Sequence, residues 1–299
     1  MASLLRHCVT LLRVPGNELA FALRSRVGWS RGEARLPHED KRGLFDFAPA
    51  ASRRALQAAA ARLEREHGLG DLRACSTRSV HAANLALLEC LARLAPGDSA
   101  PAGPDGVVRA VDVGSGDFHY ATALHRWLAG GAAAGREVVL RGFEVDGFGV
   151  YRDGHSRTDH ARAHARLAAR SAAGRSVVSY EVADFTRLCL PAQDVVVMLF
   201  PFLSAHALLR WGLPLSKLRP RRLVSRAVAA LRPGGWLVVA NQTGAESARL
   251  QHLLRSEPVA LEARTSWASD LVPDREHTLD RVGSLWRRLD ALRQPGGGG

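Results

Sequence analysis

Short apolar runs alternating with helix-like segments constrain this chain more than any other feature. Runs at residues 107–113, 138–145, 176–182, 194–200 and 236–240 are separated by amphipathic stretches such as 120–128 and 158–173. The fourth run, with its core Val-Val-Val-Met-Leu-Phe, is apolar without alternation, as expected of a strand covered on both faces. Strands alternating with helices build βαβ units, so the predicted fold is α/β with a doubly wound, mostly parallel sheet. Residues 258–267 read as a sixth strand, and 281–288 as a seventh strand or a helix.

The first hundred residues have a different texture, helical throughout and without alternating runs. Residues 50–67 place Leu56, Ala59, Ala60 and Leu63 on one helical face, and Gly68 and Gly70 stop the segment. A second helix takes Ser76 or Thr77 as its cap and runs to about Leu94. Pro96, Gly97, Pro101, Gly103 and Pro104 then form a linker. The expected division is a helical cap and linker over 1–104, an α/β domain over 105–292 and a flexible tail over 293–299. No internal repeat is evident.

Composition narrows the class further. With 46% hydrophobic and 23% charged residues in 299, the chain is neither fibrous, disordered nor a disulfide scaffold. Its longest uninterrupted apolar stretch, 195–203, is far short of the roughly 20 residues that a membrane helix needs. Forty-one basic against 29 acidic side chains give a net charge of +12, and only Lys41 and Lys217 are lysines. The arginines are spread along the chain rather than gathered in a tail, which fits compositional bias as well as a polyanion partner. Cys8, Cys75, Cys90 and Cys189 show no metal-ligand or redox spacing, so no metal is expected and the location reads as cytoplasmic. The apolar, basic N-terminus lacks a small-residue cleavage site and reads as an amphipathic helix, with a mitochondrial presequence as the alternative.

Parallel sheets bind ligands at the carboxyl ends of their strands. The first run ends in Asp112-Val113-Gly114-Ser115-Gly116-Asp117, a loop that lets backbone approach a ligand. A dinucleotide GxGxxG loop would need glycine where His119 stands, which disfavours a nicotinamide oxidoreductase. Glu144 ends the second run and can accept both hydroxyls of a ribose. Asp184-Phe185 ends the third, an acceptor beside an aromatic face that suits adenine. The turn Leu231-Arg232-Pro233-Gly234-Gly235 precedes the fifth.

In this order, these elements resemble the class I S-adenosylmethionine-dependent methyltransferases over residues 107–240. The resemblance implies a seven-stranded Rossmann-like sheet with a reversed final hairpin, and S-adenosylmethionine as cofactor. It implies that Asp112, Gly114, Ser115 and Gly116 line the methionine end, Glu144 the ribose, and Asp184 and Phe185 the adenine. Phe200 would then lie between cofactor and acceptor. Phe118 occupies the place of a third loop glycine and is expected to narrow the cavity there. Leu199-Phe200-Pro201-Phe202 departs from the Asn/Asp-Pro-Pro-aromatic pattern of enzymes that methylate amino groups of bases or glutamine.

A sulfonium carries its own activated methyl, so a general base is needed only for a protonated acceptor. The candidates are His119, Tyr120 and His206. The apolar 198–203 segment favours a small-molecule acceptor. Arg162, Arg166 and Arg170, with Arg157, His160 and His164 nearby, and the basic 217–226 segment support RNA as the alternative. A non-catalytic binding module of the same shape is the third reading.

Overall fold

The computed structural model describes residues 2–95, 100–170, 176–273 and 280–290. Pro96, Gly97 and the tail at 293–299 lie outside them. The apolar runs become β1 (Val108–Val113), β2 (Val138–Glu144), β3 (Val177–Val182), β4 (Gln193–Leu199) and β5 (Leu231–Asn241). β6 (Val259–Ser266) and β7 (Val282–Arg288) follow, so the ambiguous 281–288 segment is a strand. One sheet results, in the order β3-β2-β1-β4-β5-β7-β6. All neighbours are parallel up to β5, while β7 runs antiparallel to both β5 and β6. β5 already starts at Leu231, so the Pro-Gly-Gly turn is an irregular strand entry. Gly234 there has φ +74°, and the register against β4 shifts between Gln193 and Val195.

The helices before the sheet are α1 (Ala2–Val27), α2 (Ala50–His67), α3 (Gly70–Ala74) and α4 (Arg78–Leu94). Residues 28–49 contain no helix, contrary to the all-helical expectation. Gly28, Gly32 and Gly43 take positive φ there, and Pro37 and Pro49 interrupt backbone donation. Gly68, at φ +62°, does end α2, but Gly70 opens α3. Thr77 caps α4, its Oγ1 accepting from the Val80 N–H at 3.2 Å. Within the α/β part lie α5 (Ala121–Leu128), α6 (Gly131–Ala134), α7 (Arg157–Arg170), α8 (Ala205–Arg210), α9 (Pro220–Ala230) and α10 (Gly244–Leu254).

The unbroken apolar character of β4 has the expected cause. Val195 and Val197 pack on one face beneath α4, α5 and α7, whereas Val196 and Met198 pack on the other with α9 and α10. Leu85, Leu88 and Leu91 of α4 are fully buried and share the first core with Val108 and Leu124. The N-terminal helix α4 is therefore part of the sheet's own covering layer, and α2 packs on α4 and α5. Asn84 fixes α4 to the start of α5, donating to the His119 carbonyl at 2.9 Å and accepting from the Ala123 N–H at 3.0 Å. No helix among the described residues is long and apolar enough to cross a membrane.

α1 packs against α8 near the sheet's carboxyl edge. Asn17 donates to the Leu209 and Leu213 carbonyls at 3.0 and 3.1 Å, and Arg24 pairs with buried Asp146 at 3.1 Å. Deleting residues 2–27 is expected to raise amide hydrogen exchange in 204–217 at least tenfold, about 1.4 kcal/mol of lost local protection. Unchanged protection would show that α1 holds nothing in place there.

Candidate functional site

The strand order reverses between β1 and β4, and a cleft of about 850 Å³ opens at their carboxyl ends. Gly114, Ser115, Gly116, Glu144, Asp184, Phe185 and Phe200, all singled out in the sequence, line it together.

The loop after β1 is tied to its neighbours rather than left free. Gly114 and Ser115 donate their N–H groups to the Phe143 carbonyl at 2.8 and 3.1 Å, and the Tyr180 hydroxyl donates to the Gly116 carbonyl at 3.0 Å. Gly114 and Gly116 take φ +78° and +58°, as a loop of this tightness demands. Phe118 also takes a left-handed φ, +57°, at a cost of about 1–2 kcal/mol for a side-chain-bearing residue. Its ring does not narrow the cleft: it is fully buried, 6.0 Å from the Tyr120 ring and 6.2 Å from that of Tyr180. Gly142 makes room for it, since a Cβ there would lie 3.1 Å from the Phe118 ring and 2.8 Å from Ser115 Oγ.

Glu144 and Asp184 end neighbouring parallel strands, Glu144 standing in register with Val182. Glu144 Oε2 accepts from the Gly116 N–H at 3.0 Å and Oε1 from the Asp146 N–H at 2.9 Å, so the carboxylate organises the glycine loop. Each oxygen keeps a second acceptor site. Burial pushes its pKa up, and the nearby Arg157 guanidinium only partly offsets this. Arg157 itself pairs with Asp146 at 3.3 Å. For Asp184, burial alone would raise the pKa, but Thr186 and Lys217 outweigh it and hold the carboxyl below the ordinary range. Thr186 Oγ1 donates to Oδ1 at 2.6 Å and Lys217 Nζ to Oδ2 at 3.2 Å. Phe185 packs 6.2 Å from Phe143.

Asp112 departs from its expected place. It is fully buried beneath the loop and is not a lining residue of the cleft. Oδ2 accepts from the Tyr120 hydroxyl at 2.8 Å, and Oδ1 has no partner among the described residues. Burial without a cation in contact pushes its carboxyl up to about 7. The Tyr120 hydroxyl is committed to this bond and its own pKa lies well above the ordinary value, so Tyr120 is a poor base. His206 is exposed on the first turn of α8 and does not line the cleft, which withdraws it as a candidate.

His119 does line the cleft, together with Asp117. Its Nδ1 lies 2.6 Å from Asp117 Oδ1, and the Tyr151 hydroxyl donates to Asp117 Oδ2 at 3.3 Å. Burial would raise the Asp117 pKa, but the His119 ring outweighs it and the carboxyl stays low. An ionised Asp117 accepts from Nδ1, which orients the ring. Sequence spacing showed the two residues side by side in the chain but not their contact. Lys217 and Arg157, which read as members of basic clusters, are instead counter-ions within the site. The rest of the lining is mostly apolar, from Ala83, Leu87 and Cys90 of α4, Trp267 and Pro273 between β6 and β7, and Phe202 and Trp211, with Gln242, Ser269, Asp270 and Arg281 among them.

No known family model matches the chain, and no curated protein is similar to it in sequence. Solved structures are similar in fold. TrmN from Thermus thermophilus is 19% identical at a TM-score of 0.44, covering 69% of this chain and 49% of its own. This chain thus spans about half the length of that protein. A class I S-adenosylmethionine-dependent methyltransferase of Listeria monocytogenes, described as putative, is 13% identical at 0.46, covering 85% and 73%. The magnesium protoporphyrin IX methyltransferase of Synechocystis, solved with bound S-adenosylmethionine, is 11% identical at 0.42, covering 85% and 100%.

Proposed function

We propose that the chain is a methyltransferase that binds S-adenosylmethionine in the strand-end cleft and transfers its methyl group. The observation that carries this reading is the convergence of Glu144 and Asp184, from neighbouring strand tips, on one cleft with the Gly114–Gly116 loop between them and β4. The donor set fits the cofactor: a two-oxygen acceptor for ribose hydroxyls, an acceptor beside Phe185 for the adenine amine, and a left-handed glycine loop for the methionine end. When bound, the cofactor supplies a methyl group already activated on a sulfonium.

The protein's own share is positioning and exclusion of water. Phe200, held at φ +58°, lines the cleft just after β4, with the Arg281 guanidinium 5.4 Å from its ring centre. His119, which lines the cleft, is the residue that this reading assigns to take a proton from a hydroxyl or ammonium acceptor. The mostly apolar lining favours a small-molecule acceptor with an apolar body. α1 serves as a cap on this side, supported by the bonds of Asn17 to Leu209 in α8 and to Leu213 after it. Unpaired Cys75, Cys90 and Cys189 fit a reducing cytoplasm. An RNA acceptor is the second reading, favoured by an arginine pocket beside the cleft.

Calorimetry with S-adenosylmethionine and its demethylated product tests the cofactor reading. Saturable heat with a micromolar dissociation constant, roughly −8 kcal/mol, is the expected result. No heat with either ligand would overturn it.

A further inference from the structure

Beside the cleft, between α9 and α10, lies a second pocket of about 590 Å³ lined by Arg219, Arg221, Arg222, Arg249 and His252. We propose that this pocket seats the phosphodiester backbone of a single-stranded nucleic acid. Four guanidinium groups in one concave surface repel each other, and such clusters are normally neutralised by carboxylates. Here, among the described residues, Arg219, Arg221 and Arg249 have no acidic partner within 4 Å. The nearby acids are engaged elsewhere: Glu246 accepts from the Gln242 N–H and Ser204, and Glu257 from Ser225. Arg222 is held in place by donating from Nε to the Thr186 carbonyl at 3.2 Å. Guanidinium forks match phosphate oxygens in charge and geometry, so an anionic backbone satisfies all of these donors at once.

Continuity with the cleft specifies the kind of polyanion. Arg219 lines both cavities, and the cleft beyond it carries Trp211, half exposed and 6.0 Å from the Phe202 ring. A cationic groove leading to Trp211, one face of which the Arg157 guanidinium covers at 5.3 Å, suits unpaired bases, which stack on such rings, better than a duplex, whose bases are not available to them. The net charge of +12 adds attraction at long range. A strand threaded this way would present a base to the cleft, so the inference rests on the second reading above, a nucleic-acid acceptor in place of a small molecule. Backbone binding itself needs no cofactor, and its test is separate from the calorimetry above.

The experiment is fluorescence anisotropy of labelled oligouridylate and oligothymidylate with the full chain, over a series of salt concentrations. Wild-type affinity should fall steeply with salt. Arg221→Ala/Arg249→Ala should weaken binding at least tenfold and flatten the log–log salt dependence by about 1.4, the value for two lost phosphate contacts on a single strand. Arg54→Ala/Arg65→Ala removes the same charge from the exposed face of α2 and should leave binding within twofold. Both double variants replace exposed side chains, and matched melting curves establish that each is folded. Equal losses in the two variants would reduce the effect to overall charge and overturn the proposal. So would unchanged binding by the α9–α10 variant, or binding of pyrophosphate with no binding of either oligonucleotide. Preference for the RNA or the DNA probe identifies which strand is held.

Discussion

Glu144→Ala should weaken S-adenosylmethionine binding by at least tenfold, about 1.4 kcal/mol, when measured by calorimetry on the folded variant. Two losses combine. The ribose loses a charged acceptor, and hydrogen bonds to charged groups contribute about 1.5–3 kcal/mol each. The glycine loop also loses its anchor, since Gly116 and Asp146 donate their N–H groups to this one carboxylate. Leaving those donors without acceptors costs about 1–3 kcal/mol each, set against the relief of removing a carboxylate that burial disfavours. The variant is therefore expected to melt lower without ligand, and the isotherm belongs well below that melting point. Unchanged affinity in a folded Glu144→Ala protein would remove this residue from the cofactor site.

The second large effect is on stability rather than binding. Asp112, pushed up to about 7 by burial, is protonated in the folded chain over a range where the unfolded chain has already ionised it. A raised carboxyl pKa means that the folded state binds more protons. Its contribution is fully present below about pH 4 and is lost as pH rises through 7. The loss is on the order of 4 kcal/mol between pH 4 and pH 8. His125 and His164, pushed down to about 4 by burial, act in the opposite sense over part of that window. The quantity to read is accordingly the difference between wild type and Asp112→Asn in urea denaturation at each pH. The variant should gain on the wild type steadily from pH 4 to pH 8. A difference that stays constant would mean that Asp112 titrates normally.

Much of this architecture could be read from the residues alone, and the reason differs from element to element. Strands such as β4 were legible because a segment covered on both faces is apolar through its centre, as residues 195–199 are. The tips of β2 and β3 were legible because a carboxylate closing an apolar run has few structural reasons to be there. Asp112 also closes such a run, yet it lies on the same side of β1 as Ala110, which packs beneath α4 and α5, while Val111 and Val113 face the other core. Strand parity decided the matter, and parity follows from packing that a run with both faces apolar does not reveal. His206 failed similarly, because α8 is short and the sequence does not specify which way its first turn faces. The irregular stretch 28–49 was misread because its glycines and prolines are scattered rather than clustered.

Phe118 has a consequence for how the cleft meets its ligand. Glycine at that position would leave the backbone free to sample both signs of φ, and a ligand would have to select one of them. An aromatic anchor clamped between Tyr120 and Tyr180 makes that selection when the chain folds, so the ordering entropy of the loop is settled before any ligand arrives. The loop is in effect a rigid template whose shape is maintained by the hydrophobic interior.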